Sequence, residues 1–396
     1  MTPAAVSRRD FLSGALLLPT LFTQTSSARF IAAMPLGAPG GARIPPFGRL
    51  LGAGLDARQF TDLSLVAESA IPNPQSALVT PADRFFIRTA APAALPPADR
   101  WTLRVGGLVR APATLTAASL ESLAAASGRY LIECSGNSDQ GTYGLMSTAD
   151  WDGVPLGAIL DRVQPSSPAS RVLVSGVDDE GARPVTSVPG ASWIFSRGDL
   201  ERAMLATRMN GAALPRDHGA PVRLVVPGWY GCACIKWVDR IELVADEAPA
   251  TTQMREFAAR THQPFDSLAI ERALTAGRPL PARDFIPAVI DTAAMPVRVE
   301  KWAIDGRVAY RIAGIIWGGS KPTNALSIRF RSGQSWVPVD DCPLPASTLT
   351  WSVWTHLWRP EAPGRYQIVL RVNDPSIRTR RLDIFFYVRE IEIDEL

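Results

Sequence analysis

The C-terminal quarter of the chain contains seven short runs rich in β-branched and aromatic residues, separated by turn residues. Such runs are typical of β-strands, because branched and aromatic side chains pack well on a pleated surface. Seven strands at this spacing predict an all-β, immunoglobulin-like sandwich over residues 290–396, preceded by a linker and irregular crossover at 248–294. The runs span residues 297–304, 307–317, 325–331, 336–339, 350–357, 366–372 and 382–388.

The preceding part of the chain combines strand and helix patterns, so residues 45–285 are predicted to form a mixed α+β domain. Thr116 is a suitable N-cap for a helix over residues 117–126, and residues 151–156 indicate a turn into a second short helix. The 34 prolines favour loops and edge strands over long helices. Residues 30–60 show no periodicity and are expected to wrap the surface.

The first residues have the features of a twin-arginine export signal. Paired arginines in segment 7–12 are followed by an apolar stretch at 14–22 and by small residues near Ala28. The pattern predicts a signal over residues 1–28 and a periplasmic protein that is exported folded; an uncleaved amphipathic tail is the alternative. The apolar stretch is too short to span a bilayer. The formal net charge of +3 gives no reason to expect binding to nucleic acid or to a membrane surface.

One apolar run ends on a cysteine. Residues 130–133 are typical of a buried strand, Cys134 follows at its end, and Ser135-Gly136-Asn137 is a turn signal. A thiol at such a loop mouth, beside backbone N–H groups that a glycine leaves accessible, is available to a soft metal as a thiolate. The alternative is an ordinary core cysteine, because free cysteines are among the most buried residues.

A second informative block spans residues 215–237. A loop with His218 and Arg223 leads into an apolar strand, and a glycine-flanked aromatic turn then returns the chain with Lys236. Three cationic or imidazole donors thus meet near one hairpin, which suits a polar, phosphate-bearing ligand. The alternative is a structural histidine with an arginine paired to Asp217.

The four cysteines offer two further possibilities. Cys134, Cys232, Cys234 and Cys342 could pair as disulfides in an oxidising compartment. Cys232 and Cys234 are one residue apart on a predicted strand, however, so a bridge between them would be strained. A zinc site built from these two thiols and His218 is another alternative, although its spacing matches no common zinc pattern.

Six short segments occur together in one order along the chain: Glu-Cys-Ser-Gly-Asn at 133–137, Trp-Asp-Gly-Val-Pro-Leu at 151–156, Asp-His-Gly at 217–219, Pro-Val-Arg at 221–223, Pro-Gly-Trp-Tyr-Gly at 227–231 and Lys-Trp at 236–237. In this order they resemble the sulfite oxidase family of molybdenum-molybdopterin enzymes, from about Pro81 to the C-terminus. The resemblance implies a mixed molybdopterin domain followed by the immunoglobulin-like domain, which in relatives forms the dimer contact. It also implies that Cys134 is a molybdenum ligand.

Transferred position by position, the resemblance implies a set of side chains around a molybdenum-molybdopterin cofactor. Those that line the pterin and the metal are Phe86, Ile87, Arg88 and Thr89. Those that meet the pterin, its polar ring and its phosphate are Asp178, His218 and Arg223, and those that close over the tail are Cys234, Ile235 and Lys236. A pterin offers many donors and acceptors, and its phosphate needs fixed cations, which explains these residue types.

Three departures from the family pattern concern the substrate. Thr89-Ala90 stands where relatives have Asn-His, Asp139 stands where sulfite-oxidising relatives have an arginine, and Tyr143 is the nearest aromatic in a short loop that usually contains a tryptophan. The predicted catalytic residues are therefore Cys134, Arg88, Asp139 and Tyr143, with Arg88 as the cation that orients the substrate. A carboxylate in place of an arginine should weaken the binding of a dianion such as sulfite.

The resemblance predicts a periplasmic oxidoreductase that transfers an oxygen atom to or from a small sulfur oxyanion or oxide, with sulfite as the first candidate. Because the sequence has no C-x-x-C-H haem motif, electrons are expected to pass to a separate c-type cytochrome. A homodimer through the C-terminal domain is also implied. The alternatives are a reductase of neutral S-oxides or N-oxides and a non-catalytic exported binding protein.

Overall fold

The computed structural model describes residues 28–36, 61–63, 79–137, 144–177, 191–257, 280–384 and 387–396. Within this part of the chain, contacts between Cα atoms define two compact units. The mixed unit comprises residues 61, 80–137, 144–177, 191–257 and 280–290, and the β unit comprises residues 28–36, 62–63, 79, 291–384 and 387–396. The predicted export signal lies outside the described residues except for Ala28.

The described residues are mostly sheet with few helices. The strands are β1 (Ala28–Pro35), β2 (Thr102–Gly107), β3 (Ala113–Thr116), β4 (Ala125–Glu133), β5 (Met146–Pro155), β6 (Arg171–Gly176), β7 (Ser192–Ser196), β8 (Met204–Met209), β9 (Ala212–Ala213), β10 (Arg223–Val225), β11 (Val238–Val244), β12 (Ala293–Ile304), β13 (Arg307–Trp317), β14 (Leu326–Arg329), β15 (Val337–Pro338), β16 (Ser352–Trp358), β17 (Gly364–Val372) and β18 (Arg389–Ile393). The α-helices are α1 (Ala117–Leu123), α2 (Leu156–Arg162) and α3 (Thr252–Phe257). None of the described helices is long and apolar enough to cross a bilayer.

Two five-stranded sheets form the mixed unit. One has the antiparallel order β10-β8-β5-β4, with β9 paired to β8. The other has the order β3-β2-β11-β6-β7, in which β11 runs parallel to β2 and antiparallel to β6. Apolar residues alternate along β2 and β11, so Leu103, Val105, Ile241 and Leu243 all turn to the core and are buried.

The strand that was predicted to deliver Cys134 is confirmed as β4. Its last residue, Glu133, pairs with Met146 of β5, and the Cys134 N–H donates to the Leu145 carbonyl at 2.9 Å. The chain then turns, because the Asn137 N–H donates back to the Cys134 carbonyl at 2.9 Å. The cysteine therefore lies one residue beyond the end of edge strand β4, and its backbone N–H and carbonyl are both hydrogen-bonded.

Two helix boundaries differ from the prediction. Thr116 caps α1 as expected, since its Oγ1 accepts from the Ser119 N–H at 3.1 Å, but the helix ends at Leu123 because Ala125 already pairs with Gly153 of β5. Residues 151–156 are not a turn: β5 continues to Pro155. The glycine that suggested a turn is required by packing, because a Cβ on Gly153 would lie 2.4 Å from the Leu205 carbonyl oxygen of β8.

Two four-stranded antiparallel sheets form the β unit, in the orders β1-β12-β13-β16 and β15-β14-β17-β18. Aromatic side chains join the two sheets. The Trp358 ring of the first sheet stacks on Phe330 at 4.1 Å between centroids and meets the edge of Tyr366 of the second sheet at 4.7 Å. Aromatic pairs of this kind stabilise a protein by more than their buried area alone, so these contacts stabilise the packing of one sheet on the other.

The predicted strands of the β unit are found for six of the seven runs, and the seventh is wrong. The run at 382–388 does not form a strand in its described residues; β18 begins at Arg389 instead. The prediction followed the high apolar content of residues 382–388. The strand is instead marked by strict alternation, because Arg389, Ile391 and Ile393 are buried and the glutamates between them are exposed.

The expectation for residues 30–60 is also wrong where the structure describes it. Residues 28–35 form β1, which pairs along its length with β12. Phe30 meets the Trp302 ring edge-on at 5.4 Å and joins the small apolar cluster of Trp302, Ile304 and Ala309. The apolar residues of this segment do not alternate with polar ones and so give no strand signal, and this strand depends on the sheet that it joins.

The β unit contains one buried carboxylate at the centre of a cationic network. Glu300 is 1% exposed, and its oxygens accept from Arg298 Nε at 3.0 Å, Arg311 Nε at 2.8 Å and Trp302 Nε1 at 3.0 Å. Burial alone would raise the pKa of Glu300, but Arg311, Trp302 and Arg298 outweigh it and hold the pKa below its ordinary value. The carboxylate therefore stabilises the fold above the pKa of an unfolded glutamate, about 4.3, and loses that effect as the pH falls through its folded pKa.

We expect Glu300→Gln to lower the free energy of unfolding at pH 7 by about 3 kcal/mol, because it removes the charge that compensates the buried Arg298 and the half-buried Arg311. Chemical denaturation at pH 7 and at pH 3 measures the effect, and the difference between variant and wild type should shrink at the lower pH. Glu392→Gln, at an exposed position of β18, is the matched control and should change stability by less than about 0.5 kcal/mol. Equal stability of wild type and Glu300→Gln at pH 7 would show that the network has no net effect.

Candidate active site

A cavity in the mixed unit brings together four segments that are distant in sequence, at residues 85–89, 132–135, 217–223 and 231–237. It encloses about 890 Å³ of space without atoms, part of it open to solvent. The predicted cofactor residues that line it are Phe86, Arg88, Thr89, Cys134, His218, Arg223, Cys234, Ile235 and Lys236. Ile87 is half-buried and is not among the lining residues. Asp139, Tyr143 and Asp178 lie outside the described residues.

Cys134 is 7% exposed and contributes to this cavity a thiol that is not part of a disulfide. The Gly136 N–H donates to its Sγ at 3.4 Å, an arrangement that stabilises negative charge on sulfur. Behind it, the Asn137 side-chain amide donates to the buried Glu133 carboxylate at 3.0 Å. This contact closes the turn between residues 133 and 137 and fixes the direction in which the cysteine leaves the strand.

His218 is 4% exposed and ends a single 3₁₀ turn, Arg216–His218. Burial, and after it the nearby charge of Arg223, lowers the pKa of His218 to about 4, so the imidazole is neutral at pH 7. Its Nε2 lies 3.1 Å from the Ala82 carbonyl oxygen, and since a carbonyl only accepts, Nε2 bears the proton. Nδ1 is then the acceptor nitrogen of the ring.

Arg223 is 4% exposed at the start of β10. Its guanidinium donates to the His218 carbonyl at 3.1 Å and to the Cys234 carbonyl at 3.3 Å, and it lies 5.1 Å from the centre of the Trp151 ring. Burial lowers the pKa of Arg223 to about 10, which leaves it charged at pH 7. The alternative pairing with Asp217 is wrong, because the Asp217 carboxylate accepts from the Ala91 N–H at 2.8 Å.

Lys236 joins the segments on either side of the cavity. Its Nζ donates to the Thr89 carbonyl and, at 2.8 Å, to the Asp217 carbonyl, and it lies 4.2 Å from the centre of the Trp237 ring. Gly219 allows this approach: its φ is +109°, and a Cβ there would lie 2.9 Å from Arg223 Cβ and 3.3 Å from Lys236 Cβ. The two cations therefore share one wall of the cavity.

Several lining residues were not predicted from the sequence, including Ser135, Cys232, Gln253 and Phe257. Ser135 follows Cys134 and Cys232 lies two residues before Cys234 in the sequence. This proximity was the only indication that they line the cavity. Gln253 and Phe257 belong to α3, in a stretch interpreted as linker. Gln253 is nevertheless structural to the site, because its amide donates to the Cys232 carbonyl and accepts from the Ser192 N–H at 3.1 Å.

The two closely spaced cysteines are neither bridged nor on a strand. Cys232 lies in a 3₁₀ turn, Gly231–Ala233, and Cys234 follows it. None of the four cysteines, all of which lie in the described residues, forms a disulfide. Burial raises the pKa of both Cys232 and Cys234, which favours neutral thiols. In the described part of the chain, no three His, Cys, Asp or Glu side chains are grouped to hold a metal ion, so the zinc alternative has no support.

Comparison with known proteins gives the class of this site. Residues 90–252 match the family model described as oxidoreductase molybdopterin binding domain. The chain is 26% identical over 330 residues to sulfite oxidase of Gallus gallus, covering 75% of this chain and 67% of that protein. It is 31% identical over 246 residues to the protein-methionine-sulfoxide reductase catalytic subunit MsrP of Ralstonia nicotianae, covering 57% of this chain and 70% of that protein.

A solved structure shows the same fold. The sulfane dehydrogenase SoxCD of Paracoccus pantotrophus superposes with a TM-score of 0.60 at 20% identity, over 84% of this chain and 80% of that chain. The chain spans only 33% to 49% of the length of some other relatives, a nitrate reductase of Beauveria bassiana and another MsrP subunit among them.

The fold and the matched domain define a molybdopterin-binding oxidoreductase. The chain belongs to the sulfite oxidase family of molybdenum-molybdopterin oxidoreductases, which favours an enzyme over the non-catalytic alternative. The cavity fits the family's cofactor. It offers one thiol beside a backbone N–H, a neutral imidazole, and two guanidinium groups, each with a buried nitrogen that lacks a hydrogen-bond partner: Arg88 Nη1 and Arg223 Nε. An anionic, metal-bearing chelate supplies the partners that these groups lack.

Proposed function

We propose that this protein is a periplasmic oxidoreductase that transfers an oxygen atom and that its substrate is sulfite or a related sulfur oxyanion. The observation that carries the proposal is Arg88. Its Nη1 is buried, lacks a hydrogen-bond partner, and belongs to a side chain that lines the same cavity as Cys134. A guanidinium in this position suits an oxyanion. Similarity to a sulfite oxidase over 75% of this chain supports the same substrate class.

Each group of the cavity then has a role toward the cofactor. When bound, the molybdenum centre supplies the two-electron exchange of an oxygen atom with the substrate. Cys134 would hold the metal at the end of β4, and the Gly136 N–H would stabilise the thiolate. His218, neutral at pH 7, would accept a hydrogen bond from the pterin through Nδ1. Arg223 and Lys236 would neutralise the phosphate.

The role of Arg88 is testable by separating substrate binding from turnover. We expect Arg88→Met to raise the KM for sulfite by about 10- to 100-fold, because one charge-assisted hydrogen bond to the oxyanion is lost. The measurement is steady-state oxidation of sulfite by ferricytochrome c with molybdenum-loaded protein. Arg84→Met, an exposed arginine on the same segment, is the control and should leave KM unchanged. An unchanged KM in Arg88→Met would remove Arg88 from substrate binding.

Reduction of a neutral S-oxide is the second candidate, favoured by the 31% identity to a methionine-sulfoxide reductase subunit and by Asp139, a carboxylate that disfavours a dianion. Assays with a reduced dye against methionine sulfoxide, dimethyl sulfoxide and an N-oxide, beside the sulfite assay, distinguish the two candidates. Turnover of an oxide at least tenfold more efficient than that of sulfite would establish the second. For this activity Arg88→Met should change KM little, because no anion is bound.

The proposal extends to the architecture of the β unit, the oligomeric state, the electron acceptor and the export of the protein. We propose that the β unit is an immunoglobulin-like sandwich, which is supported by its two antiparallel sheets joined through aromatic residues. We also propose that this unit forms a homodimer contact, as the family resemblance implies. We propose a c-type cytochrome as electron acceptor and residues 1–28 as the export signal. Replacement of Arg8 and Arg9 by lysine should leave the protein in the cytoplasm, as measured by cell fractionation; normal export would argue against the signal.

A further inference from the structure

The β unit contains a second cavity that the proposed function does not use. It lies where β14, β16 and β17 approach one another, and it encloses about 750 Å³ of space without atoms, part of it open to solvent. Three arginines line it: Arg329 at the end of β14, Arg331 two residues beyond, and Arg359 after the end of β16. Arg331 and Arg359 are exposed and Arg329 is half-buried, so the three guanidinium groups give the cavity a local excess of positive charge.

No carboxylate in the described residues forms an ion pair with any of the three. Asp383, the carboxylate that feels the charge of Arg329, is bound by Arg381 at 2.7 and 2.9 Å. Arg331 lies 4.2 Å above the Tyr366 ring, and Arg329 lies 4.5 Å above the Trp336 ring. The Nε of Arg329 is buried without a hydrogen-bond partner. Contact with a ring face does not use the N–H groups of a guanidinium as hydrogen-bond donors to oxygen, so they stay available for an oxygen ligand.

The aromatic wall of this cavity is rigid. Phe330 stacks on Trp358 with ring centres 4.1 Å apart and planes 5° apart, and Tyr366 meets Trp358 edge-on at 4.7 Å. All three rings are buried. Arg331, which contacts Tyr366, therefore rests on a ring that is already packed before any ligand arrives, which reduces the entropy that binding would cost.

The charge of the lining is set by few groups. Glu361 is the one acidic residue among the lining residues that the structure describes, and it stands against three arginines. His356 also lines the cavity, and burial lowers its pKa despite the neighbouring Asp340, so it adds no charge at pH 7. The lining therefore has a net charge of about +2 at neutral pH.

We infer that this cavity binds a small anion with two oxygen-borne negative charges, of the phosphate or dicarboxylate class. Two charges match the net charge of the lining, and planar carboxylate or tetrahedral phosphate oxygens match the fork of a guanidinium. The site lies in the β unit and is separate from the candidate active site, which lies in the mixed unit. It therefore stands whether or not sulfite is the substrate.

Calorimetric titration of molybdenum-loaded protein tests the inference. The loaded cofactor occupies the phosphate-binding side chains of the candidate active site, and the variants below distinguish the β-unit cavity from the substrate position at Arg88. The probes are inorganic phosphate, succinate and, as a singly charged comparison, acetate, all at constant ionic strength and pH 7.5. We expect saturable binding of phosphate or succinate at one site, with acetate at least tenfold weaker. Which dianion binds more tightly identifies the class. Absence of saturable binding by both dianions would overturn the inference.

Variants locate the site. Arg331→Gln and Arg359→Gln replace exposed side chains, so the fold should be retained, and each should raise the Kd of the dianion by about tenfold or more. The matched control is Arg365→Gln, which removes an exposed arginine from the opposite face of β17 and should leave Kd within twofold. An equal loss in Arg365→Gln would show that only general surface charge attracts the anion, and would overturn the inference.

Discussion

Replacement of Cys134 by serine is expected to lower turnover by at least about 100-fold while the protein remains folded. The thiol lies at the end of β4 in a cavity with three cationic side chains, and a hydroxyl is a poor ligand for a soft metal at neutral pH. Removing a residue that only hydrogen-bonds to a metal ligand typically lowers metal affinity or activity by about 10- to 100-fold. Removing the ligand itself should lower activity by more. Steady-state assay of protein matured in a molybdenum-competent host measures the effect.

The matched control for this substitution is Cys232→Ser. Cys232 is a buried, free thiol that lines the same cavity, but burial raises its pKa and favours the neutral form. It should retain activity within about threefold, because it is not a ligand in the proposed arrangement. If Cys134→Ser retained wild-type turnover while Cys232→Ser lost it, the two thiols would have been assigned the wrong way round.

The second large effect is expected for Arg223→Met, which should reduce the molybdenum content of purified protein to less than about a tenth of wild type. The substitution keeps an unbranched side chain of similar length and removes the guanidinium that contacts the His218 and Cys234 carbonyls. Each lost charge-assisted hydrogen bond to a phosphate weakens binding by about 10- to 100-fold. Elemental analysis of protein expressed under identical conditions gives the ratio of molybdenum to protein.

Stability must be measured beside metal content, because Arg223 also holds two loops together. Circular dichroism and thermal unfolding should show a folded Arg223→Met protein with an unchanged sheet signal. Arg216→Met is the control: Arg216 donates to the Pro92 and Ala93 carbonyls in an exposed position and does not line the cavity. A folded Arg223→Met protein with full molybdenum content would show that the cofactor does not depend on this cation.

The sequence was sufficient to predict the structural elements that depend only on residues close together in the chain. The Cys134 strand is a run of apolar residues followed by a Ser-Gly-Asn turn, and both parts were predicted because strand and turn preferences act over a few residues. Thr116 as a helix cap was predicted for the same reason. Edge strand β1 and helix α3 were not predicted from the sequence. Their conformations depend on contacts with distant residues: β1 pairs with β12, and Gln253 of α3 donates to the Cys232 carbonyl.

The assembly of the candidate site depends on contacts that no local pattern contains. Lys236 donates to the Thr89 carbonyl, 147 residues away in sequence, and His218 meets the Ala82 carbonyl across 136 residues. Residue types in the 215–237 block indicated an anionic ligand, but the contribution of residues 85–89 came only from the family resemblance. Asp217 shows most clearly what local sequence cannot predict. Its proximity to Arg223 in sequence suggested an ion pair, but its carboxylate accepts a hydrogen bond from the Ala91 N–H, 126 residues away.

X-ray absorption at the molybdenum edge tests the central claim most directly, because it counts the sulfur atoms bound to the metal without requiring a substrate. If the thiolate of Cys134 is a ligand, wild-type protein should show one sulfur neighbour more than Cys134→Ser protein loaded with the same cofactor. An identical sulfur count in the two proteins would contradict the assignment of Cys134.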